Sequence, residues 1–188
     1  MTYFELFEIP VQLKVNTASL SKKFFELSKK YHPDYFVRGN EDAQAEALER
    51  SALLNKAWKT FQSQDETIKY VLQKKGLLEE EEKYELPPDF LMEVLEINEQ
   101  LMEMDESESG VGAQRPAESQ RAASSGESGV KGIQSTIDRL QTEIYEPVKG
   151  IVENYKDGIT TEKELLQVKE YYYKKKYIDR IRKELITK

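Results

Sequence analysis

Residues Ser19–Asp34 read SLSKKFFELSKKYHPD, and the organisation of the chain follows from this stretch. Leu20, Phe24, Leu27 and Tyr31 fall at i, i+4, i+7 and i+11, the apolar stripe of one amphipathic helix. Asn16 and Thr17 offer N-caps for it, because their side-chain oxygens accept from the first free backbone N–H groups. Pro33 has no N–H and disfavours helical backbone in the residue before it, so the helix must end by His32. Tyr31-His32-Pro33-Asp34 therefore opens a loop that carries an imidazole and a carboxylate, and Gly39-Asn40 lets that loop turn back towards the next helix.

The helix behind this tip is basic. From Ser19 to His32 there are four lysines, Lys22, Lys23, Lys29 and Lys30, against the single acid Glu26, a net charge of +3. The whole chain is acidic, with a formal net charge of −7 over 188 residues. A basic face ending in a rigid polar tip suits docking onto an acidic partner surface, where complementary charge speeds encounter. The bland readings are a structural histidine and an ordinary solvated lysine face. A metal site needs further nitrogen or sulfur ligands, and the chain has one histidine and no cysteine. A catalytic dyad needs a nucleophile and a pocket, and no nucleophile elbow, phosphate loop or paired-carboxylate signature is present.

Composition sets further bounds. Charged residues make up 34% of the chain, which predicts a soluble protein without the global basicity of a nucleic-acid binder. The absence of cysteine removes disulfides, thiolate zinc sites and cysteine-ligated clusters from this chain. Met1-Thr2-Tyr3-Phe4-Glu5 has no basic stretch followed by an apolar run, so no signal peptide is expected here, and no apolar run approaches the ~20 residues of a membrane span. The expected location is cytoplasmic, or the mitochondrial matrix if a transit segment precedes the chain.

Elsewhere the periodicity is helical, and no alternating strand stands out, so the expected fold is all-α. A short turn or two over Tyr3–Glu8 precedes Pro10. A helix over about 42–61 is expected to bury Ala47, Leu54, Ala57, Trp58 and Phe61, and one over about 65–75 presents Ile68, Val71 and Leu72. Gly76, the acidic run Glu79–Glu82 and Leu86-Pro87-Pro88 mark a hinge. The expected division is an N-terminal domain over 1–76, a linker over 77–88, and a three-helix domain over 89–188. Residues from about 105 to 132 are rich in Ser, Gly, Ala and Glu and are expected to form a flexible loop. A helix marked by Ile133, Ile137, Leu140, Ile144, Val148 and Ile151, with a kink at Pro147, leads to Asp157-Gly158. Thr160 or Thr161 then caps the last helix.

The helix after Pro88 has two apolar faces. Phe90, Val94, Ile97 and Leu101 form a core stripe, while Leu91, Met92, Leu95 and Met102 lie off it among Glu96, Glu99 and Glu103. Such a helix either buries both faces in a bundle or leaves one for a partner. From Glu79 to Glu108 there are thirteen acids against one lysine, net −12. From Lys169 to Lys183, around Tyr171-Tyr172-Tyr173-Lys174-Lys175-Lys176-Tyr177, there are seven cations against two acids, net +5. Aromatic and basic residues together also suit single-stranded nucleic acid. The simpler expectation is that the acidic and basic helices lie antiparallel and neutralise each other.

The His-Pro-Asp tripeptide after a basic helix, with Leu54-Asn55-Lys56-Ala57-Trp58 in the next, resembles the J-domain of DnaJ-type co-chaperones. Tyr3-Phe4-Glu5-Leu6-Phe7 and Phe90-Leu91-Met92-Glu93-Val94-Leu95-Glu96 resemble HscB, the J-protein family of iron–sulfur cluster biogenesis. The resemblance covers roughly 2–104 and 133–188. It implies a fold of an N-terminal J-domain, a helical hairpin with short flanking helices, plus a C-terminal three-helix bundle. It implies that His32, Pro33 and Asp34, with Lys22, Lys23, Lys29 and Lys30, engage a DnaK/HscA-type ATPase chaperone and stimulate its ATP hydrolysis. It also implies that Leu91, Met92, Leu95, Glu96, Glu99, Glu103 and Tyr177 hold an iron–sulfur scaffold protein. No catalytic residue, metal site, cofactor, nucleic acid or membrane is implied, and the chain is not expected to be an enzyme. Tyr35 departs from the basic residue common after the tripeptide, and the insert after Asp105 is long for the family. Two other readings stay open: a J-domain co-chaperone for a different client, and a non-enzymatic helical adaptor.

Overall fold

The computed structural model describes residues 1–32, 34, 41–109 and 122–187. Pro33, Tyr35, Gly39, Asn40 and the middle of the Ser/Gly-rich insert lie outside the described residues. Among the described residues the chain forms seven α-helices and no strand: α1 (Tyr3–Phe7), α2 (Thr17–Lys30), α3 (Glu41–Phe61), α4 (Gln64–Lys74), α5 (Pro88–Ser109), α6 (Ala122–Asn154) and α7 (Glu162–Thr187). The expectation of an all-α fold holds. No helix among the described residues is long and apolar enough to cross a membrane.

The chain divides into two compact units that are not continuous in sequence. The first takes 1–82 together with 150–169, and the second takes 83–149 together with 170–188. Helices α6 and α7 each belong partly to both.

In the first unit, sequence sets the helix ends. Asn16 Oδ1 accepts from the N–H groups of Ala18 at 3.1 Å and Ser19 at 3.3 Å, starting α2. Ser63 caps α4 through the Glu66 N–H at 3.3 Å. At the other end of α4, Gly76 takes φ +70°, the Gly76 N–H donates to the Gln73 carbonyl at 3.0 Å, and the Leu77 N–H donates to the Leu72 carbonyl at 2.9 Å. That pair of bonds is the Schellman ending, which needs a left-handed residue that glycine supplies cheaply.

Helices α2 and α3 form an antiparallel hairpin. Phe24 stacks on Trp58 at 4.8 Å, while seven residues further along α2 the Tyr31 hydroxyl accepts from Arg50 at 3.4 Å. Leu20, Leu27 and Tyr31 are buried as expected, and so are Ala47, Leu54, Ala57 and Phe61. Trp58 is only half-buried, because it lies along the seam against Phe24 rather than under it. Phe61 is the hub of the core: its ring lies 5.0 Å from Phe4 and 5.4 Å from Phe7.

Residues 150–169 join this unit through three ion pairs, Lys14–Glu153, Lys75–Asp157 and Lys169–Glu82. Lys75 and the Tyr155 hydroxyl both hold the Asp157 carboxylate, with Lys75 the stronger influence, so its pKa falls below the usual aspartate value. Burial and the neighbouring Asp157 charge push the Tyr155 phenol up to about 12. Thr161 and Glu164 form a reciprocal box at the start of α7: the Glu164 N–H donates to Thr161 Oγ1 at 3.3 Å, and the Thr161 N–H donates to Glu164 Oε2 at 2.8 Å.

The second unit is a three-helix bundle. Its core is Phe90, Val94, Ile97 and Leu101 from α5, Ile133, Ile137 and Leu140 from α6, and Ile178, Ile181 and Leu185 from α7. Tyr145 meets Tyr171 at 5.5 Å and Asp138 pairs with Arg182 at 2.7 Å, so α6 and α7 run in opposite directions. Tyr84, just before α5, stacks on Tyr173 at 4.5 Å, and Phe90 in its first turn meets Tyr177 at 6.3 Å, so the contacts of this segment and α7 advance together. The two helices are therefore parallel, not antiparallel as their charges suggested. Two successive reversals, α5 to α6 and α6 to α7, dictate this whatever the charges. The cations of α7 also find other partners: Lys174 pairs with Glu170, Lys175 with Asp179, and Arg182 with Asp138 and the Gln141 side chain.

Helix α5 runs on to Ser109 and α6 begins at Ala122, so the backbone is helical at both ends of the stretch expected to be a loop. Propagation from the strongly amphipathic segment after Ile133 outweighs the weak propensity of Ser and Gly there. Helix α6 also continues through Pro147.

Candidate functional site

Two surfaces carry the residues singled out by sequence. The first is the outer face of α2 and the tip beyond it. Tyr31 caps the helix, its N–H donating to the Leu27 carbonyl at 2.9 Å, and the His32 N–H donates to the Lys29 carbonyl at 3.3 Å. His32 and Asp34 side chains stand in solvent, 51% and 83% exposed. The Asp34 N–H donates to His32 Nδ1 at 3.3 Å, while Asp34 Oδ2 lies 3.6 Å from the same nitrogen. The first contact needs Nδ1 unprotonated and the second becomes an ion pair only when it is protonated, so a neutral ring makes the amide bond. Behind the tip, Arg50 braces Tyr31: its guanidinium lies 5.4 Å from the Tyr31 ring and pairs with Glu46 at 2.6 Å.

The four lysines are not equivalent. Lys22 and Lys29 point outward. Lys23 is half-buried and spends its charge on Glu8, and Lys30 lies with its Nζ 5.4 Å from the Tyr31 ring. Between Lys22 and Lys29 stands Phe25, 60% exposed, which the sequence reading passed over. The signal was available. At about 100° per residue, Phe25 sits some 140° from the buried Leu20–Leu27–Tyr31 line. Pro33 lies outside the described residues.

The second surface is α5. Phe90, Val94, Ile97 and Leu101 are 1–4% exposed, whereas Leu91, Met92, Leu95 and Met102 are 42%, 68%, 55% and 64% exposed. The bundle buries one stripe and leaves the other in solvent. Glu96, Glu99 and Glu103 are exposed beside it. Soluble chains seldom leave a contiguous row of large apolar side chains in water unless something covers it. Tyr177 does not belong cleanly to this surface. It is half-buried against Phe90, and the Arg180 guanidinium lies 4.4 Å from its ring.

Comparison with known proteins bears on the same regions. Residues 86–121 match the family model described as the HSCB C-terminal oligomerisation domain. Among solved structures, the human co-chaperone protein HscB is 24% identical, with 100% of this chain and 81% of that chain covered and a TM-score of 0.72. The chaperone HscB from Vibrio cholerae is 22% identical, with 100% of this chain and 96% of that chain covered and a TM-score of 0.69. The chain thus shares the fold of these two HscB structures, and its residues 86–121 match the HSCB C-terminal model.

Proposed function

We propose that this chain is a co-chaperone that delivers an iron–sulfur cluster scaffold protein to a DnaK/HscA-type ATPase chaperone and stimulates its ATP hydrolysis. The observation that carries the reading is α5, a helix with one stripe buried in a bundle and a second row of Leu and Met left in water beside glutamates. An apolar row bordered by carboxylates fits a protein partner with an apolar patch and a basic rim. At the other surface, the exposed His32 and Asp34 end a helix whose outer face is cationic, which suits an acidic groove on an ATPase. In this reading residues 1–76 engage the chaperone and residues 89–188 hold the client. Lys22, Lys29, His32, Pro33 and Asp34 make the chaperone contact, with Lys23 and Lys30 as secondary charge. Leu91, Met92, Leu95, Glu96, Glu99 and Glu103 hold the scaffold, with Tyr177 as a prop under Phe90. The chain supplies no reacting group; it acts on the partner's active site.

The test is ATP turnover by a DnaK/HscA-type chaperone with and without the chain. The wild-type chain should raise turnover, and His32→Gln should abolish the stimulation while the helical circular dichroism stays unchanged. Full stimulation by that variant would defeat the reading. A second reading rests on the description of the matched family as an oligomerisation domain: the exposed α5 row would then join two copies of the chain. Sedimentation at rising concentration separates the two, since a monomer that binds scaffold excludes it.

A further inference from the structure

The outward strip of α2 holds one large apolar side chain that neither the core nor the charge argument uses. Phe25 is 60% exposed, and Lys29 Nζ lies 4.4 Å from its ring centroid. At about 100° per residue, Lys22, Phe25 and Lys29 lie within about 60° of one another on the side of α2 facing away from its buried stripe. Ala18 lies within this strip, and Ser21 and Glu26 border it, about 40° beyond Phe25 and Lys22 respectively. The strip leads along the helix towards the end that carries His32.

We propose that Phe25 is the aromatic anchor of the α2 contact, and that its occupant is an apolar pocket rimmed by carboxylates on the ATPase chaperone. The inference rests on the docking role given to α2 above. Charge complementarity selects the rim, because two ammonium groups flank the ring and one already lies against it. Aromatic side chains at the centre of a contact carry a disproportionate share of binding energy, and a cation held against the ring gains strength as water leaves. Other occupants fit worse. A lipid surface needs a broad apolar helix face, whereas the remaining large apolar residues of α2 are packed inward. A second copy of the same strip meets like charge.

The experiment titrates the full chain into a DnaK/HscA-type chaperone and reads the half-maximal concentration and the plateau of ATP turnover separately. Phe25→Ala should raise the half-maximal concentration about tenfold, with the plateau still reached at saturation. Phe25→Tyr should restore it. Lys22→Ala combined with Lys29→Ala should instead flatten the dependence on salt, which Phe25→Ala leaves as steep as in the wild type. If the wild type stimulates and Phe25→Ala has the same half-maximal concentration, the anchor is overturned and the docking role stands. If the wild type fails to stimulate, the docking role itself falls. Binding of the wild type to phosphatidylserine-containing vesicles, lost in Phe25→Ala, would overturn the proposal in favour of a lipid surface.

Discussion

Helix α2 buries Leu20, Leu27 and Tyr31 and turns Lys22, Phe25 and Lys29 outward, whereas α5 buries Phe90, Val94, Ile97 and Leu101 and turns Leu91, Met92 and Leu95 outward among glutamates. Each helix spends one stripe on its own unit and keeps a second for solvent. They differ in the balance of the second stripe. On α2 a single ring sits between cations, so charge sets most of the surface. On α5 the apolar residues outnumber their gaps, so the carboxylates border a continuous greasy row. A surface of the first kind favours fast, salt-sensitive encounter, and one of the second kind favours slower release once apolar area is covered. Within a single chain, the two exposed stripes differ in the balance of charge and apolar surface.

The comparison breaks if buried and exposed stripes do not separate stability from binding. Phe61→Ala, at the hub of the first unit's core, should destabilise the chain by about 3–5 kcal/mol, read by urea unfolding. Replacing Leu91, Met92 and Leu95 together by Ala should weaken scaffold binding by about 2–4 kcal/mol in calorimetry, while the unfolding midpoint shifts little. A large loss of stability in that triple variant would mean that the row is core after all. Thr161→Ala removes half of the capping box of α7 and should cost about 1 kcal/mol in the unfolding free energy, with both binding activities intact.

The smallest effect concerns pH. The carboxyl of Asp157 titrates lower in the folded chain than its ordinary value of about 3.8, chiefly because Lys75 pairs with it. Its contribution is therefore present above about pH 4 and disappears as the pH falls through the folded-state value. The pair is largely solvated, so the gain stays below about 1 kcal/mol. Unfolding curves of wild type and Lys75→Met should differ slightly near neutral pH and converge in acid. A gap that persists in acid would assign the loss to Lys75 packing rather than its charge.

Much of this was legible because the signals are local. The buried members of α2, α3 and α5 follow from spacing alone, and the caps at Asn16 and Thr161 follow from residue type. What escaped depends on relations that periodicity does not encode. The acidic α5 and the basic α7 invite an antiparallel pairing by charge, yet the number of chain reversals between them makes them parallel. The four lysines of α2 look alike in sequence, and only the position of Glu8 and Tyr31 in space separates Lys23 and Lys30 from Lys22 and Lys29. The second row of α5 was visible, but whether the bundle would cover it was not.

That α6 and α7 each serve two compact units has a consequence for how such a chain changes over evolution. A cut after Gly76 would take from Lys14 and Lys75 their partners Glu153 and Asp157, which arrive from the far end of the sequence. The N-terminal module is thus not a bead that can be moved onto another protein by splicing at one point. A substitution at one member of either pair reaches a residue 139 or 82 positions away in the sequence.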